Sequence, residues 1–544
     1  MIRWLRVATA MLAGAIVAAG VAVAQPVADV PFSQQRAVRT TPPPRQRPVA
    51  ADLPGPPPGA TIRAYGRAGQ AAVVADGRIH EWREGRWQPV ALRSGDEGWD
   101  PAQITALAYD RSDRLWFGSS QGVGVRDDGA WRFIDPRRGL PVLGITSMAG
   151  APDGSMWIGT TRGAVRIAGD VIEYRQGRRW LPGDHVRDVF VDETGTAWFD
   201  TDQGIGGIAA MPTTLAAKAA AYEAAIDRHH RRTPYGYVVE AHLKVAGDVS
   251  TAFTTDNDND GLWTGMYGAA QSFAFAATRS EIARGRARRA FEALRFLVDV
   301  TQGGLHQPPD GFPARSIRPA SGPDPNVHDS PARDRQRRRD RDAAWKIIEP
   351  RWPLSADRQW YWKSDTSSDE LDGHYFFYAL YHDLVARDAA ERAEVAAVVR
   401  RITDHLLGHD FTLVDHDGLA TRWGVFSPAA LNLTPQWIEE RGLNSLSMLT
   451  YLRIAHHVTG DARFDVAART LVAQHGYGMN ILYPKVTSGV GGGNQSDDEM
   501  AFMNYYHLLM YETDPVVKSV AARSLHAYWQ LERPERNPFF NLIA

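Results

Sequence analysis

A 41-residue repeat in the N-terminal part of this chain constrains its fold more than any other feature. Trp116, Trp157 and Trp198 each lie in a short apolar segment, and each is followed within a few residues by a glycine-rich turn. A period of this length, with short alternating strands, is typical of one four-stranded propeller blade. A weaker copy over residues 62–92 predicts a fourth blade.

The repeats resemble the propeller repeats in the sensor regions of two-component regulators. The typical core of those repeats reads Leu-Trp-Ile-Gly-Thr followed by a glycine, and Met156 to Thr160 with Gly163 is the nearest match. The resemblance covers about a quarter of the chain and implies a fold without naming a ligand. Four blades are few for a closed ring, so either a small propeller closes or an open arc of blades packs against a second domain. We expect the repeat tryptophans to pack between blades.

After residue 212 the apolar periodicity changes from two to about 3.6 residues. Helices are predicted over 214–230, 262–279, 284–300, 368–386, 391–408, 443–459, 462–475, 497–512 and 516–530. The later eight form four pairs, which suits either an open solenoid or a closed α/α toroid. The toroid is favoured because the first helix of each pair is the more apolar. The predicted fold class is therefore multidomain, with a small or partial β-propeller of about four blades (61–211) followed by an all-α α/α-toroid domain (212–544).

The N-terminus predicts export. Arg3 and Arg6 precede an apolar run that ends in Ala22-Val23-Ala24, the order of a signal peptide over residues 1–24. An uncleaved membrane anchor is the alternative. Residues 25–60 are rich in proline and predict an extended linker. We expect a periplasmic or secreted protein, without stable membrane insertion after signal cleavage.

Composition excludes several classes of function. The chain has no cysteine, so disulfides, thiol catalysis and a lipid-modified cysteine are excluded. Its net charge of -2 provides no global basic field, so nucleic acid is not an expected partner.

Three acidic helix starts are the strongest functional signal. Ser367-Ser368-Asp369-Glu370, Ser496-Asp497-Asp498-Glu499 and the loop from Asp256 to Gly261 each open an aromatic-rich helix. If these helices form an inner ring, their acids converge on one cavity, where proximity separates their pKa values into an acid and a base. The alternative is structural, because both Ser-x-x-Glu runs fit a capping box.

Two of these segments also suggest metal chemistry. Glu370 and His374 share a helix face, as an acid/base pair or half of a metal site. Asp256, Asp258 and Asp260 open like a calcium loop, but the twelfth position is Tyr267 where such a loop needs glutamate. No cofactor is expected. The three aspartates are interpreted as substrate-binding acids or as a simple helix cap, and a non-standard calcium site is the weaker alternative.

Aromatic and arginine side chains near the acids suit a sugar, which offers an apolar face and polar edges. The arginines could clamp a uronate carboxylate. The predicted substrate-binding residues are Trp263, Tyr267, Arg315, Trp360, Trp362, Arg422, Trp423, Asn494 and Tyr505.

The same segments carry a second resemblance, to a group of exported bacterial proteins of unassigned function. It rests on Asp258–Trp263, Gly311–Ser316, Trp362–Glu370, Arg441–Ser445 and Ser496–Glu499. More broadly, the helical region resembles the α/α-toroid (six-hairpin glycosidase-like) carbohydrate enzymes, both hydrolases and lyases. That likeness implies an activity on a poly- or oligosaccharide.

The sequence therefore predicts an exported carbohydrate-active enzyme, either a glycoside hydrolase or a polysaccharide lyase. Its candidate catalytic residues are Asp258, Asp260, Asp369, Glu370, His374, Asp498 and Glu499. In a hydrolase, an acid from one helix start would be the general acid and one from another the base or nucleophile. In a lyase, the base would be His374, Tyr267 or Tyr375. The alternative is a non-catalytic periplasmic module that binds or senses a glycan or a protein, and a structural scaffold is the third option.

Overall fold

The chain is multidomain, with a sheet-rich unit and a helical unit. The computed structural model describes residues 28–44, 55–256, 258–483, 485 and 495–544. The predicted signal peptide, the linker parts at 25–27 and 45–54, and Asn494 lie outside these ranges. Asp29–Ala221 and Leu243–Thr251 form the sheet unit, and Tyr222–His242 with Ala252–Ala544 form the helical unit.

The sheet unit contains four antiparallel four-stranded sheets. The strands before the second sheet are β1 (Phe32–Val38), β2 (Ile62–Tyr65), β3 (Ala71–Ala75), β4 (Arg78–Arg83), β5 (Arg86–Pro89), β6 (Arg93–Ser94) and β7 (Glu97–Gly98). The others are β8 (Ile104–Tyr109), β9 (Leu115–Ser119), β10 (Gly122–Asp127), β11 (Ala130–Ile134), β12 (Ile145–Gly150), β13 (Met156–Thr160), β14 (Gly163–Ala168), β15 (Val171–Arg175), β16 (Val186–Val191), β17 (Ala197–Thr201) and β18 (Gly204–Thr213). The four sheets are β2–β5, β8–β11, β12–β15 and β16–β18 with β1, and β6 pairs with β7.

Two of the repeat tryptophans, Trp116 and Trp157, pack between neighbouring sheets, as predicted. Trp116 is 1% exposed and lies among apolar side chains of the second and third sheets, while Trp157 lies with those of the third and fourth. The indole of Trp116 also donates to Asp110 Oδ2 at 2.8 Å, and Trp198 donates to Asp192 Oδ2 at the same distance. In the second and fourth sheets the aspartate of the turn therefore anchors the tryptophan six positions later, whereas Ala151 stands at the equivalent position before Trp157.

Strand β1 corrects the linker prediction. Its residues pair antiparallel with β18, from Phe32 opposite Thr213 to Val38 opposite Gly207, and complete the fourth sheet. The prediction of an extended linker over all of 25–60 is wrong for this segment. The run from Phe32 to Val38 lacks apolar alternation, and its stability as a strand comes from the unpaired edge of a strand distant in sequence.

The helical unit consists of helix pairs and short hairpins. Helix α1 crosses the boundary between the units at residue 221. The helices are α1 (Leu215–His229), α2 (Asp260–Thr278), α3 (Glu281–Asp299), α4 (Pro331–Asp340), α5 (Ser368–Leu380), α6 (Ala389–Gly408), α7 (Pro428–Leu433), α8 (Arg441–Thr459), α9 (Ala462–His475), α10 (Tyr477–Asn480), α11 (Ser496–Tyr511), α12 (Pro515–Glu532) and α13 (Pro538–Ile543). The remaining strands pair as β19 (Arg231–Arg232) with β20 (Tyr237–Val238), β21 (Ala241–Leu243) with β22 (Ala252–Thr254), β23 (Ile317–Pro319) with β24 (Trp360–Trp362), and β25 (Thr412–Val414) with β26 (Ala420–Val425).

Helices α2 and α5 run parallel in close contact. A Cβ on Gly265 would meet the backbone of Gly373, and one on Gly268 would meet the ring of Phe377. Because the contacts advance in step along both helices, the two N-termini lie at the same end. Glycine is required at Gly265 because both sides of the contact are backbone.

Helices α8 and α11 run in the same direction as α5. Asp372 of α5 accepts hydrogen bonds from Tyr451 of α8 and from Asn504 of α11, and one turn further on His507 lies 2.9 Å from the Phe376 carbonyl oxygen. Every residue from Ser368 to Tyr381 except Asp369 is buried. Helix α5 therefore lies in the core of the helical unit.

In the described part of the chain, no helix has both the length and the apolar character needed to cross a bilayer.

Candidate functional site

The N-termini of α2 and α5 meet. Two of the three acidic helix starts that were expected to converge are therefore in contact. Glu370 is fully buried, and its Oε2 accepts the backbone N–H of Gly261 at 2.5 Å. Ser367 makes no side-chain capping bond, so the structure contradicts the capping box that was the structural alternative for this helix. The glutamate caps the neighbouring helix instead, where a carboxylate also benefits from the helix dipole.

Asp260 and His374 are buried beside this contact. Arg232 pairs with Asp260, and Ser316 Oγ donates to it at 3.0 Å. Burial raises the pKa of Asp260 to about 6, although Arg232 opposes the shift. His374 Nδ1 lies 2.9 Å from the Tyr378 hydroxyl, and burial lowers its pKa to about 3, so the ring is neutral. Burial and the nearby Asp369 charge raise the pKa of Glu370 well above its usual value.

Each of these three buried groups keeps one polar atom without a partner among the described residues. The atoms are Asp260 Oδ1, Glu370 Oε1 and His374 Nε2. Perturbed pKa values and unsatisfied buried groups are most frequent at functional sites. All three side chains are 0% exposed, so they lie beneath the surface that a ligand would meet.

The third acidic start, at the N-terminus of α11, lies at the same end of the parallel helices and has a buried partner of its own. Asp498 is buried and accepts a hydrogen bond from the Tyr528 hydroxyl of α12. Burial, together with the Asp498 charge, raises the pKa of Glu499 to about 7. Helix α11 begins at Ser496 with Gln495 at its N-cap position, which does not fit the alternative of a capping box with Ser496 as the cap.

A cavity of about 460 Å³ opens beside the N-termini of α2 and α5. Its lining carries seven Arg or Lys side chains against five Asp side chains. The lining residues are Asp256, Asp258, Arg315, Arg318, Pro325, His328, Asp329, Arg337, Arg341, Asp342, Trp345, Arg351, Trp352, Lys363, Ser364, Asp365 and Arg422. We call this the cationic cavity.

Arg315 joins the helix starts to the cationic cavity. It is 8% exposed, and its guanidinium donates to the carbonyl oxygens of Asp258 at 3.0 Å and Asp365 at 3.1 Å. Although burial alone would raise the pKa of Asp258, the charges of Arg315 and Lys363 lower it to about 2. The Asp258 carboxylate is therefore ionised at any physiological pH.

Lys363 neutralises the acidic loop that resembles the opening of a calcium site. Its ammonium lies 2.8 Å from Asp256 Oδ2 and also contacts Asp258. Asp256 has a second basic neighbour, Arg318, at 3.7 Å. Since Asp260 pairs with Arg232, each of the three carboxylates proposed for calcium already has a cationic partner in the protein.

Tryptophans hold the other cations of the cavity in place. The guanidinium groups of Arg337, Arg351 and Arg422 lie 5.0, 4.9 and 4.7 Å from the ring centre of Trp345. Arg318 and Lys363 each lie 4.9 Å from the ring centre of Trp352. Contacts of this kind stabilise a cation at the ring face. The two indoles therefore organise positive charge, and several of their contacts are with cations rather than with an open space for a sugar ring.

Most of the aromatic residues predicted to bind a substrate pack in the helical unit instead. Trp362 is 1% exposed against Phe312, and Trp360 lies against Tyr235. Tyr505 is buried with its hydroxyl 2.7 Å from Ser524 Oγ. The remaining contacts are those of Tyr267 with Glu223, of Trp263 with the apolar core, and of Trp423 with Trp437 and Arg422.

Sequence reasoning placed only Arg315, Arg422, Asp256 and Asp258 of the cavity lining among its site residues. Lys363 was a further candidate for the mouth of a cavity, and the charged and aromatic residues that were missed are Arg318, His328, Asp329, Arg337, Arg341, Asp342, Trp345, Arg351, Trp352 and Asp365. The signal in the sequence is the arginine-rich run over 333–341, but so dense a run of charges is typical of a solvated insertion. Arg337 lies in the last turn of α4 and Arg341 directly follows that helix, and both line the cavity.

No protein-family model matches the chain, and no curated protein matches it in sequence. Solved structures match it in part. The extracellular domain of a presumed hybrid two-component system from B. thetaiotaomicron is 14% identical, with a TM-score of 0.24 over 27% of this chain and 21% of that chain. An inactive variant of virginiamycin B lyase from Staphylococcus aureus is 14% identical, with a TM-score of 0.23 over 29% and 54%. PorZ, a surface component of the type-IX secretion system of Porphyromonas gingivalis, is 18% identical, with a TM-score of 0.22 over 27% and 24%.

These matches are short on both sides. The chain spans about a fifth of the first structure and about half of the second. Likenesses of this extent carry no argument about function, so the function proposed below rests on the site alone.

Proposed function

We propose that the helical unit binds an acidic saccharide, one that bears carboxylate groups, and that the whole chain is a non-catalytic recognition module. The observation that carries the proposal is the excess of basic over acidic side chains in the cationic cavity. Its volume of about 460 Å³ lies within the range of small-molecule sites, roughly 300 to 1,000 Å³.

The cations of the cavity are organised before a ligand arrives. Arg315 is buried and fixed by two carbonyl oxygens, and three further arginines are stacked on Trp345. A guanidinium group held in this way loses little conformational freedom on binding and matches a carboxylate with two parallel hydrogen bonds. The arrangement therefore suits a ligand with more than one acidic group.

The charge states favour binding over hydrolysis. A general acid needs a pKa near the working pH and must reach the bond that is cleaved. Burial opposes ionisation of both carboxyls, but Lys363 at Asp256, and Arg315 with Lys363 at Asp258, keep each pKa below its usual value. Asp260 and Glu370, whose pKa values are raised, are fully buried behind them.

The architecture and location of the molecule form part of the proposal. Helices α2, α5, α8 and α11 run parallel inside α3, α6, α9 and α12, which suits a partial α/α toroid of four hairpins with α5 at its centre. The four sheets suit a small propeller of the regulator type. The predicted signal peptide supports a periplasmic or secreted location, and the saccharide is the proposed partner.

Paired variants of the full, untagged chain test the proposal. Arg341 is exposed and has no part in the ion pairs that join Arg337, Arg351 and Arg422 to aspartates. We expect Arg341→Gln to weaken binding of an oligogalacturonate by roughly tenfold, the value of one charged hydrogen bond. Arg339→Gln is the matched control, because this exposed residue lies on α4 but does not line the cavity. Equal losses in both variants, or no binding by the wild type in calorimetry, would remove the proposal.

A second candidate function is favoured by the buried group of Asp260, Glu370 and His374, since raised acid pKa values and a neutral imidazole suit acid/base chemistry. In that case the chain is a glycoside hydrolase or polysaccharide lyase whose cavity opens to expose them. Incubation with polysaccharides, followed for new reducing ends and for the ultraviolet absorbance of unsaturated uronates, separates the two functions. Activity that Glu370→Gln abolishes would favour the enzyme, whereas binding without any product favours the recognition module.

A further inference from the structure

A second cluster of chemically active side chains lies at the other end of the parallel helices. His382 and Asp383 lie in a π-helical turn, Tyr381–Val385, that follows α5. His457 lies in the last turn of α8 and Tyr511 is the last residue of α11. Among the described residues, His382, Asp383 and His457 are the group whose ligand atoms all lie within 4.8 Å of one another.

We propose that His382, Asp383 and His457 bind one divalent transition-metal ion of the zinc class. The site is separate from the cationic cavity and independent of the function proposed for it. Two imidazoles and one carboxylate are the donor set that such ions prefer, and three protein ligands leave a fourth position for water or another ligand.

The distances already bring the donor atoms together. His382 Nδ1 lies 2.6 Å from Asp383 Oδ1, and His457 Nε2 lies 2.9 and 3.0 Å from the two oxygens of the same carboxylate. Donor atoms around a tetrahedral zinc ion are about 3.4 Å apart, given metal–ligand distances of about 2.1 Å. Small side-chain rotations would therefore let the ion replace the protons that the histidines now share with Asp383.

The local backbone explains how two consecutive residues can face one ion. Neighbouring residues of a regular α-helix point about 100° apart, so they do not normally share a partner. The π-helical turn changes this spacing, and such turns are frequent at functional sites. His382, Asp383 and His457 are 16%, 28% and 36% exposed at their side chains, so an ion from solvent can reach them.

The surroundings favour a cation and fix its ligands. The C-terminal ends of α5, α8 and α11 gather here, and each carries a partial negative charge. The Tyr511 hydroxyl donates to Asp383 Oδ2 at 2.8 Å, and its ring stacks on His457 at 4.1 Å between ring centres. Hydrogen-bond partners of this kind orient the ligands of a metal site and tune their affinity.

Calorimetric titration of zinc chloride into the full, untagged chain, first stripped with EDTA, tests the site. We expect one ion per wild-type chain. Loss of a ligand's hydrogen-bond partner typically costs roughly 10- to 100-fold in metal affinity, so Tyr511→Phe should weaken binding about tenfold and His457→Ala by more than about 100-fold. His456→Ala is the matched control, since it removes a histidine from the same turn of α8 without touching the cluster.

Circular dichroism checks that each variant is folded. If a variant does not fold, the wild-type titration decides, because a chain that takes up no stoichiometric zinc overturns the proposal. Unchanged zinc affinity in folded His457→Ala would also overturn it, and would leave Asp383 as a hydrogen-bonded link between helix ends. Affinity lost in His457→Ala and kept in His456→Ala supports the site.

Discussion

Asp372 gives the sharpest quantitative test of the packing in the helical unit. Its side chain is buried at 2% exposure between α5, α8 and α11. Oδ1 accepts hydrogen bonds from Tyr451 and Asn504, whereas Oδ2 has no partner among the described residues. Burial raises the pKa of Asp372 to about 7, although these hydrogen bonds oppose the shift.

The direction of the pH dependence follows from that shift. The pKa in the folded state lies above the ordinary value of 3.8, so the unfolded chain releases its proton first as pH rises. The stability contribution is therefore complete below about pH 4 and is lost as pH rises toward 7. A difference of about three pKa units at 1.36 kcal/mol per unit corresponds to about 4 kcal/mol.

Asp372→Asn keeps the shape of the side chain and removes its titration. We expect the variant and the wild type to unfold similarly at pH 4, and the variant to be more stable by about 3 to 4 kcal/mol at pH 8. Urea unfolding followed by tryptophan fluorescence at several pH values measures the difference, with the exposed Asp340→Asn as control. A difference between Asp372→Asn and wild type that does not change with pH would refute the reasoning.

Two further substitutions test the helix contact and the repeat. Gly265→Ala should destabilise the helical unit by about 2 to 3 kcal/mol, because the new Cβ meets the backbone of Gly373. The control is Gly285→Ala on α3, where the new Cβ has open space and the change should be neutral or slightly stabilising. Equal denaturation midpoints for these two variants would contradict the described contact. Trp116→Phe should cost the sheet unit about 2 kcal/mol in urea unfolding, because the hydrogen bond to Asp110 is lost from a buried site. Unchanged stability would show that this bond does not hold the repeat.

The regular elements could be read closely from the sequence. All nine helices predicted from the 3.6-residue period are present, and 462–475 has the same limits in the structure. The 41-residue spacing of tryptophans likewise predicted three of the four sheets, and residues 62–92 the remaining one. These patterns are readable because they reflect local burial, which repeats along the chain.

Long-range partners could not be read in the same way. Ser367 and Glu370 have the spacing of a capping box, yet the glutamate bonds to Gly261, more than a hundred residues away. Asp498 looks equivalent to Asp369 in sequence, but a tyrosine of α12 accounts for its position. Which acidic helix starts meet depends on the packing of whole helices, and neither spacing nor composition determines that.

The cationic cavity was only partly predictable for a related reason. Arg315 and Arg422 were identified as carboxylate clamps, while Arg337 and Arg341 were interpreted as part of a solvated run. A dense group of arginines in sequence is usually exposed. Only the fold shows that Trp345 contacts Arg337 from within the run together with Arg351 and Arg422 from outside it.

The central claim is that the cationic cavity recognises the negative charge of a saccharide. The most direct measurement compares, by calorimetry at low and physiological salt, the affinity of the full chain for an oligogalacturonate and for its methyl ester, in which an uncharged methyl ester replaces each carboxylate. We predict binding of the acid at least tenfold tighter than that of the ester, with an advantage that shrinks as salt is raised. Equal affinities for the two ligands, or an advantage that salt does not change, would contradict the account.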